Sequence, residues 1–166
     1  IAPGSIDVNI MTKLDGNNSK NEGALKEDGT DAVSALRGYA LSDLNNSSII
    51  FSAGLNPRLF NYLEKFTAFD ATAWGTFTKK VVIKVSDYRS ALIQGKYLAK
   101  KGIWVSEFRI ESGLNCGGHA FATDGYLMGP ILEEFKNKKK ELVTQLFEIY
   151  NQALVAKGKC DRMGAI

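Results

Sequence analysis

From residue 79 to residue 111 the chain lays down a strand, a capped helix and a second strand with few connecting residues between them. Residues 79–86 (KKVVIKVS) are apolar, β-branched and short, the clearest strand signal in the sequence. Asp87 then offers a side-chain oxygen to the orphan amides of a helix start. Ala91, Leu92, Leu98 and Ala99 supply that helix with an apolar face, and Gly102 is a natural stop. Residues 103–111 (IWVSEFRIE) read as a strand again.

The same order recurs on both sides of this unit. Residues 5–12 (SIDVNIMT) alternate as a strand, and residues 15–30 form a long polar loop with almost nothing to bury. Thr30 or Asp31 caps a helix carrying Val33, Leu36, Ala40 and Leu44, which Asn45-Asn46 breaks before a buried strand at 48–53. Asn56 and Pro57 open the next helix, with Leu59, Phe60 and Leu63 on one face. Residues 66–78 are aromatic-rich and read as an irregular insertion. Residues 129–157 are helical, with Ile131, Leu132 and Phe135 first and Leu142, Leu146, Ile149, Ala153 and Leu154 after them. Gly158 stops the helix, and the charged run 137–141 reads as a solvated stretch or a break between two helices.

Strand and helix thus alternate four times, which predicts an α/β fold with a mainly parallel sheet and right-handed crossovers. Four such units are half of a TIM (β/α)8 barrel, and a whole barrel takes roughly 250 residues. With 166 residues, the expectation is a single α/β domain over 1–166 or part of a larger barrel domain. A first residue Ile1 rather than Met agrees with a piece of a longer protein.

Composition narrows the partners. Apolar residues make up 45% and charged residues 23%, so the chain has enough to bury and is not expected to be disordered. A net charge of +3, with basic residues scattered apart from residues 136–140, argues against nucleic acid. That run reads as a solvated helix face. The sequence holds no apolar run of membrane-spanning length, and no membrane partner is expected. Two cysteines are too few for a disulfide scaffold, so a cytoplasmic location is expected. The expected partner is a small-molecule substrate, and a homo-oligomer is compatible with the composition.

In parallel α/β folds ligands bind beyond the carboxyl ends of the strands. Here those ends lead into Met11-Thr12-Lys13, Ser52-Ala53-Gly54, Lys84-Val85-Ser86-Asp87 and the loop opening at Ser112. That last loop is the densest in chemistry. Gly113, Gly117 and Gly118 let backbone approach a ligand closely or form an anion-binding nest. Cys116 and the sole histidine, His119, lie three residues apart in it. A metal site is disfavoured, because C-x-x-H without a second ligand pair leaves the coordination short. Lys84 is a cation inside an apolar strand, either snorkelling to solvent or facing an anion. Asn9 and Lys13 on the first strand are similarly ambiguous, and Arg109 reads as a paired charge near Glu111 at the sheet rim.

A lysine-bearing strand, Val82-Ile83-Lys84-Val85-Ser86, followed after one helix by Ser112-Gly113-Leu114-Asn115-Cys116-Gly117-Gly118-His119, resembles the flavin-binding barrel of glutamate synthases and related FMN-dependent α/β barrels. In that family the second element reads Ser-Gly-x-x-Gly-Gly-Thr-Gly. Here three residues separate the glycine elements, His119-Ala120 replaces Thr-Gly, and the family's iron–sulfur cysteine cluster is absent. The resemblance covers residues 79–121. It implies an FMN-binding oxidoreductase barrel of unassigned substrate. Lys84 would lie beside the flavin pyrimidine, and Ser112, Gly113, Gly117 and Gly118 would line the cofactor loop. Asn9 and Lys13 would share the same face, with Lys84, Cys116 and His119 as the catalytic candidates. Two other readings stand beside it. One is a thiol-dependent enzyme using Cys116 with His119; the other is a non-catalytic α/β assembly module.

Overall fold

The structure is a computed structural model that describes residues 4–10, 29–73, 76–111 and 128–159. Its framework is a four-stranded parallel sheet of β1 (Ile6–Ile10), β2 (Ser47–Phe51), β5 (Lys79–Val85) and β6 (Val105–Ile110), arranged in chain order. Helices α1 (Asp31–Leu41), α2 (Pro57–Leu63) and α3 (Tyr88–Ala99) alternate with the strands, and α4 (Met128–Ala156) comes last. The expected α/β fold with a mainly parallel sheet is what the chain adopts.

The boundaries follow local chemistry. The Thr30 side chain accepts from the Val33 amide at 3.4 Å, Asn56 from Leu59 at 3.1 Å, and Asp87 from Ser90 at 2.6 Å. Each cap satisfies one of the amides that the first helical turn leaves unpaired. Asn46 takes a left-handed φ of 49°, a conformation asparagine tolerates better than most residues, and turns the chain into β2. Gly102 at φ 69° does the same after α3.

Strand pairings are in register from Ile6↔Ser47 through Ile10↔Phe51 and from Ser47↔Lys79 through Phe51↔Ile83. Between β5 and β6 one residue is extra, so Val81 faces Val105 while Val82 faces Glu107. Because the strands run in order and crossovers are right-handed, the helices all fall on one side. The core confirms this: Leu36 of α1, Phe60 of α2, Leu98 of α3 and Leu146 of α4 join one buried cluster with Ile49, Ile83 and Val105. The other face of the sheet carries Asp7, Ser48, Lys80, Val82, Lys84, Glu107 and Arg109, which alternate with those core residues.

One expectation is corrected, and one open alternative is decided. Residues 66–78 are not irregular throughout: a 3-10 turn (Thr67–Phe69) seats Phe69 at 1% exposure, and β3 (Ala71–Ala73) pairs antiparallel with β4 (Thr76–Phe77). Residues 137–141 do not break the last helix. It runs unbroken for 29 residues, because Lys138 pairs with Glu134 at 2.7 Å and Gln145 with Glu141 at 2.9 Å along its exposed side. Its buried residues Leu142, Leu146, Tyr150 and Leu154 recur every four residues and lie only in its second half.

At the base of the sheet, Lys79 is 3% exposed and closes the end of α1. Its Nζ donates to the carbonyls of Tyr39 at 2.6 Å, Ala40 at 3.2 Å and Ser42 at 2.6 Å. Burial pushes its pKa down, while the helix carbonyls give the ammonium the partners it would otherwise find in water.

Candidate functional site

Asp7 and Arg109 show the shape of the sheet face turned away from the helices. They sit on the two outer strands, yet Arg109 Nη2 donates to Asp7 Oδ2 at 2.7 Å. In a flat sheet three strand spacings and a four-residue offset would hold their Cα atoms about 19 Å apart. No arginine–aspartate pair bridges that, so the sheet curls and the face turned away from the helices is concave.

That face is lined by charge in equal numbers. Asp7, Glu107 and Glu111 stand against Lys80, Lys84 and Arg109. Arg109 Nε also donates to Glu107 Oε1 at 2.5 Å. The Arg109 hydrogen bond holds the Asp7 carboxyl below the usual carboxylate range, and the bonds from Arg109 to Glu107 and Asp7 push the guanidinium pKa up. Such a side chain stays charged at any accessible pH.

Lys84 occupies the carboxyl-terminal end of β5, opposite Arg109 on β6. Its Nζ lies 3.0 Å from Glu111 Oε1, and the Glu111 amide donates to the Val85 carbonyl at 2.9 Å. The sheet pairing thus extends one residue beyond β6 and fixes the acid beside the lysine. Lys84 therefore does not snorkel away alone; it faces the concave side with an acid alongside, 13% exposed. Asn9, opposite Ile50 and one register step beyond Val8, is an exposed member of the same rim. The expected pairing of Arg109 is also present, with Asp7 and Glu107 as its partners.

Lys13, Ser112, Gly113, Cys116, Gly117, Gly118 and His119 lie outside the described residues. Among the described residues, Lys84 and Asn9 are the predicted site positions, and both belong to the carboxyl-end rim of the concave face. Residue-by-residue reading missed Asp7 and Glu107. Their signal was available in the alternation of residues 6–10 and 105–110, which puts polar positions on one side once both strands are parallel.

At the opposite end, by the amino termini of the strands, a cavity of about 330 Å3 opens on the same face. Ser48, Lys80, Val82 and Glu107 line it, with Phe77 and Trp104 at its edge. Among the described residues no three metal-ligating side chains come together, and no described helix is long and apolar enough to cross a membrane. No family model, curated protein or solved structure matches the chain.

Proposed function

We propose that the chain is an FMN-binding oxidoreductase unit of (β/α)8-barrel type, with the flavin on the carboxyl-end rim of the concave face. The observation that carries this reading is Lys84: a partly buried cation on the concave side, at the strand end that leads toward Ser86 and Asp87. Glu111 holds it in place, and the chain passes directly from Glu111 into the glycine-rich loop at Ser112. An in-order parallel sheet that curls with its helices outside is the arrangement of half a barrel, which supports the reading at the level of architecture.

The donor set suits a flavin. Bound FMN supplies reversible hydride and electron transfer. Lys84 would stabilise negative charge at the pyrimidine end, and Glu111 would keep the ammonium oriented. Ser112, Gly113, Gly117 and Gly118 would supply hydroxyl and backbone N–H groups to the cofactor loop, with Asn9 and Lys13 on the adjoining strand end. Arg109, tied to Asp7 and Glu107, would keep the floor of the face rigid rather than meet the cofactor.

Titration with FMN, followed by quenching of flavin fluorescence and displacement of its visible bands, tests the reading. Saturable binding is expected, with Lys84→Met weakening it about tenfold, the loss of one charge-assisted contact. Absence of saturable binding, or affinity unchanged in Lys84→Met, would overturn it.

A further inference from the structure

We infer that the cavity at the amino-terminal end of the concave face binds a small aromatic α-amino acid as its zwitterion. The site lies at the opposite end of the sheet from Lys84, and the inference does not depend on the flavin reading. Every group it uses stands on a described strand or on the turn into β6.

Lys80 is the group that calls for a ligand. It is partly buried in β5, directly opposite Ser48 of β2, and both side chains line the cavity. Among the described residues no acid lies within ion-pair distance of Lys80, although Glu107 lines the same cavity and is bound to Arg109. Strand spacing and rise put the Cα atoms of Lys80 and Glu107 about 8 Å apart, on diagonal positions of neighbouring strands. Two opposite charges thus border one space without meeting across it. An ammonium partly shielded from water and left without an anion costs free energy that a bound carboxylate offsets.

The hydroxyl groups divide in the same way. Ser48 already donates its proton to Asp7, so only its oxygen lone pairs remain for a ligand. Ser106 is the extra residue of the β5–β6 pairing, between Val105 opposite Val81 and Glu107 opposite Val82. Such bulges re-aim a side chain, and Ser106 lines the cavity with no hydroxyl partner among the described residues. Lys80 and Ser106 therefore supply donors for a carboxylate, while Glu107 and the Ser48 oxygen supply acceptors for an ammonium. These groups share the cavity with Val82 and two aromatic rings, Phe77 of β4 and Trp104 before β6. Trp104 is held from the helix side by Phe147 and Tyr150, at ring distances of 6.1 and 5.4 Å. A volume of about 330 Å3 is at the small end for ligand pockets and suits an amino acid with a single ring. A phosphate fits less well, because its second negative charge would face Glu107.

Titration of the protein with L-phenylalanine tests the site, followed by indole fluorescence and by the backbone amide shifts of residues 80, 82, 106 and 107. Saturable binding is expected with a dissociation constant below about 1 mM. Phenylacetate lacks the ammonium and phenethylamine lacks the carboxylate, so each should bind at least about tenfold more weakly. Lys80→Met should weaken L-phenylalanine about tenfold and leave phenethylamine unchanged, while Glu107→Gln should spare phenylacetate. Both variants alter side chains that are not fully buried, so their circular dichroism should match that of the parent. Where a variant does not fold, the ligand series on the unaltered protein tests the inference by itself. Absence of saturable binding, either analogue bound as tightly as L-phenylalanine, undiminished affinity in folded Lys80→Met, or amide shifts confined to other strands would each overturn it.

Discussion

Lys79 sits where a lysine is least expected, at the buried base of a central strand, and its role is structural. The ammonium satisfies the carbonyls that α1 leaves unpaired at its end. Replacing it with methionine preserves volume and removes the donors, leaving buried acceptors bare. Lys79→Met should therefore lower the unfolding free energy by about 2–3 kcal/mol, read from the denaturant midpoint. Tyr150 makes a different prediction. It is 1% exposed, packs on Trp104 at a ring distance of 5.4 Å, and burial pushes its hydroxyl from 10.0 up to about 12. Below pH 10 both folded and unfolded chains keep the proton. Above it the unfolded chain ionises first, so stability falls as pH climbs toward 12. Compared with Tyr150→Phe, the native protein should lose about 3 kcal/mol more across that window in alkaline denaturation.

At the level of elements, the caps carry a measurable share of stability. Asp87 fixes the start of α3 immediately after β5, and Asp87→Ala should cost about 1 kcal/mol by urea unfolding. Gly95 is where α3 meets α4. A Cβ there would lie 2.8 Å from Leu146 Cδ1 and 3.1 Å from the tip of Phe108. Those are the far ends of flexible side chains, so Gly95→Ala should come out near neutral, the better helix propensity of alanine offsetting the squeeze. Gly95→Leu has no such room and should destabilise by about 1–3 kcal/mol, visible as a lower melting temperature. Caps and stops were legible in the sequence because they depend on neighbours in the chain: Thr30, Asn56, Asp87 and Gly102 all act where their residue types imply. The hairpin of β3 and β4 was not, since two and three residues carry too little periodicity to separate from a loop. The continuity of α4 was left open for the opposite reason, a charge run that reads equally as a break or as a laddered face.

For the molecule as a whole, the concave face was half legible. Lys84 stood out as a cation in an apolar strand, whereas the meeting of Asp7 with Arg109 depends on curvature that no local pattern encodes. The contact reports the curl rather than causing it. Both side chains are more than a third exposed, and exposed pairs contribute little beside a core that buries Leu36, Ile49, Leu63, Ile83 and Leu98 completely. Arg109→Met should accordingly cost less than about 1 kcal/mol in chemical denaturation, with the loss shrinking further in high salt. The strand order has one more consequence. Among the described residues no strand pairing skips a unit, so each βα segment docks on the one synthesised just before it. Such an order closes its loops one at a time, which favours folding that proceeds from each unit to the next as synthesis continues.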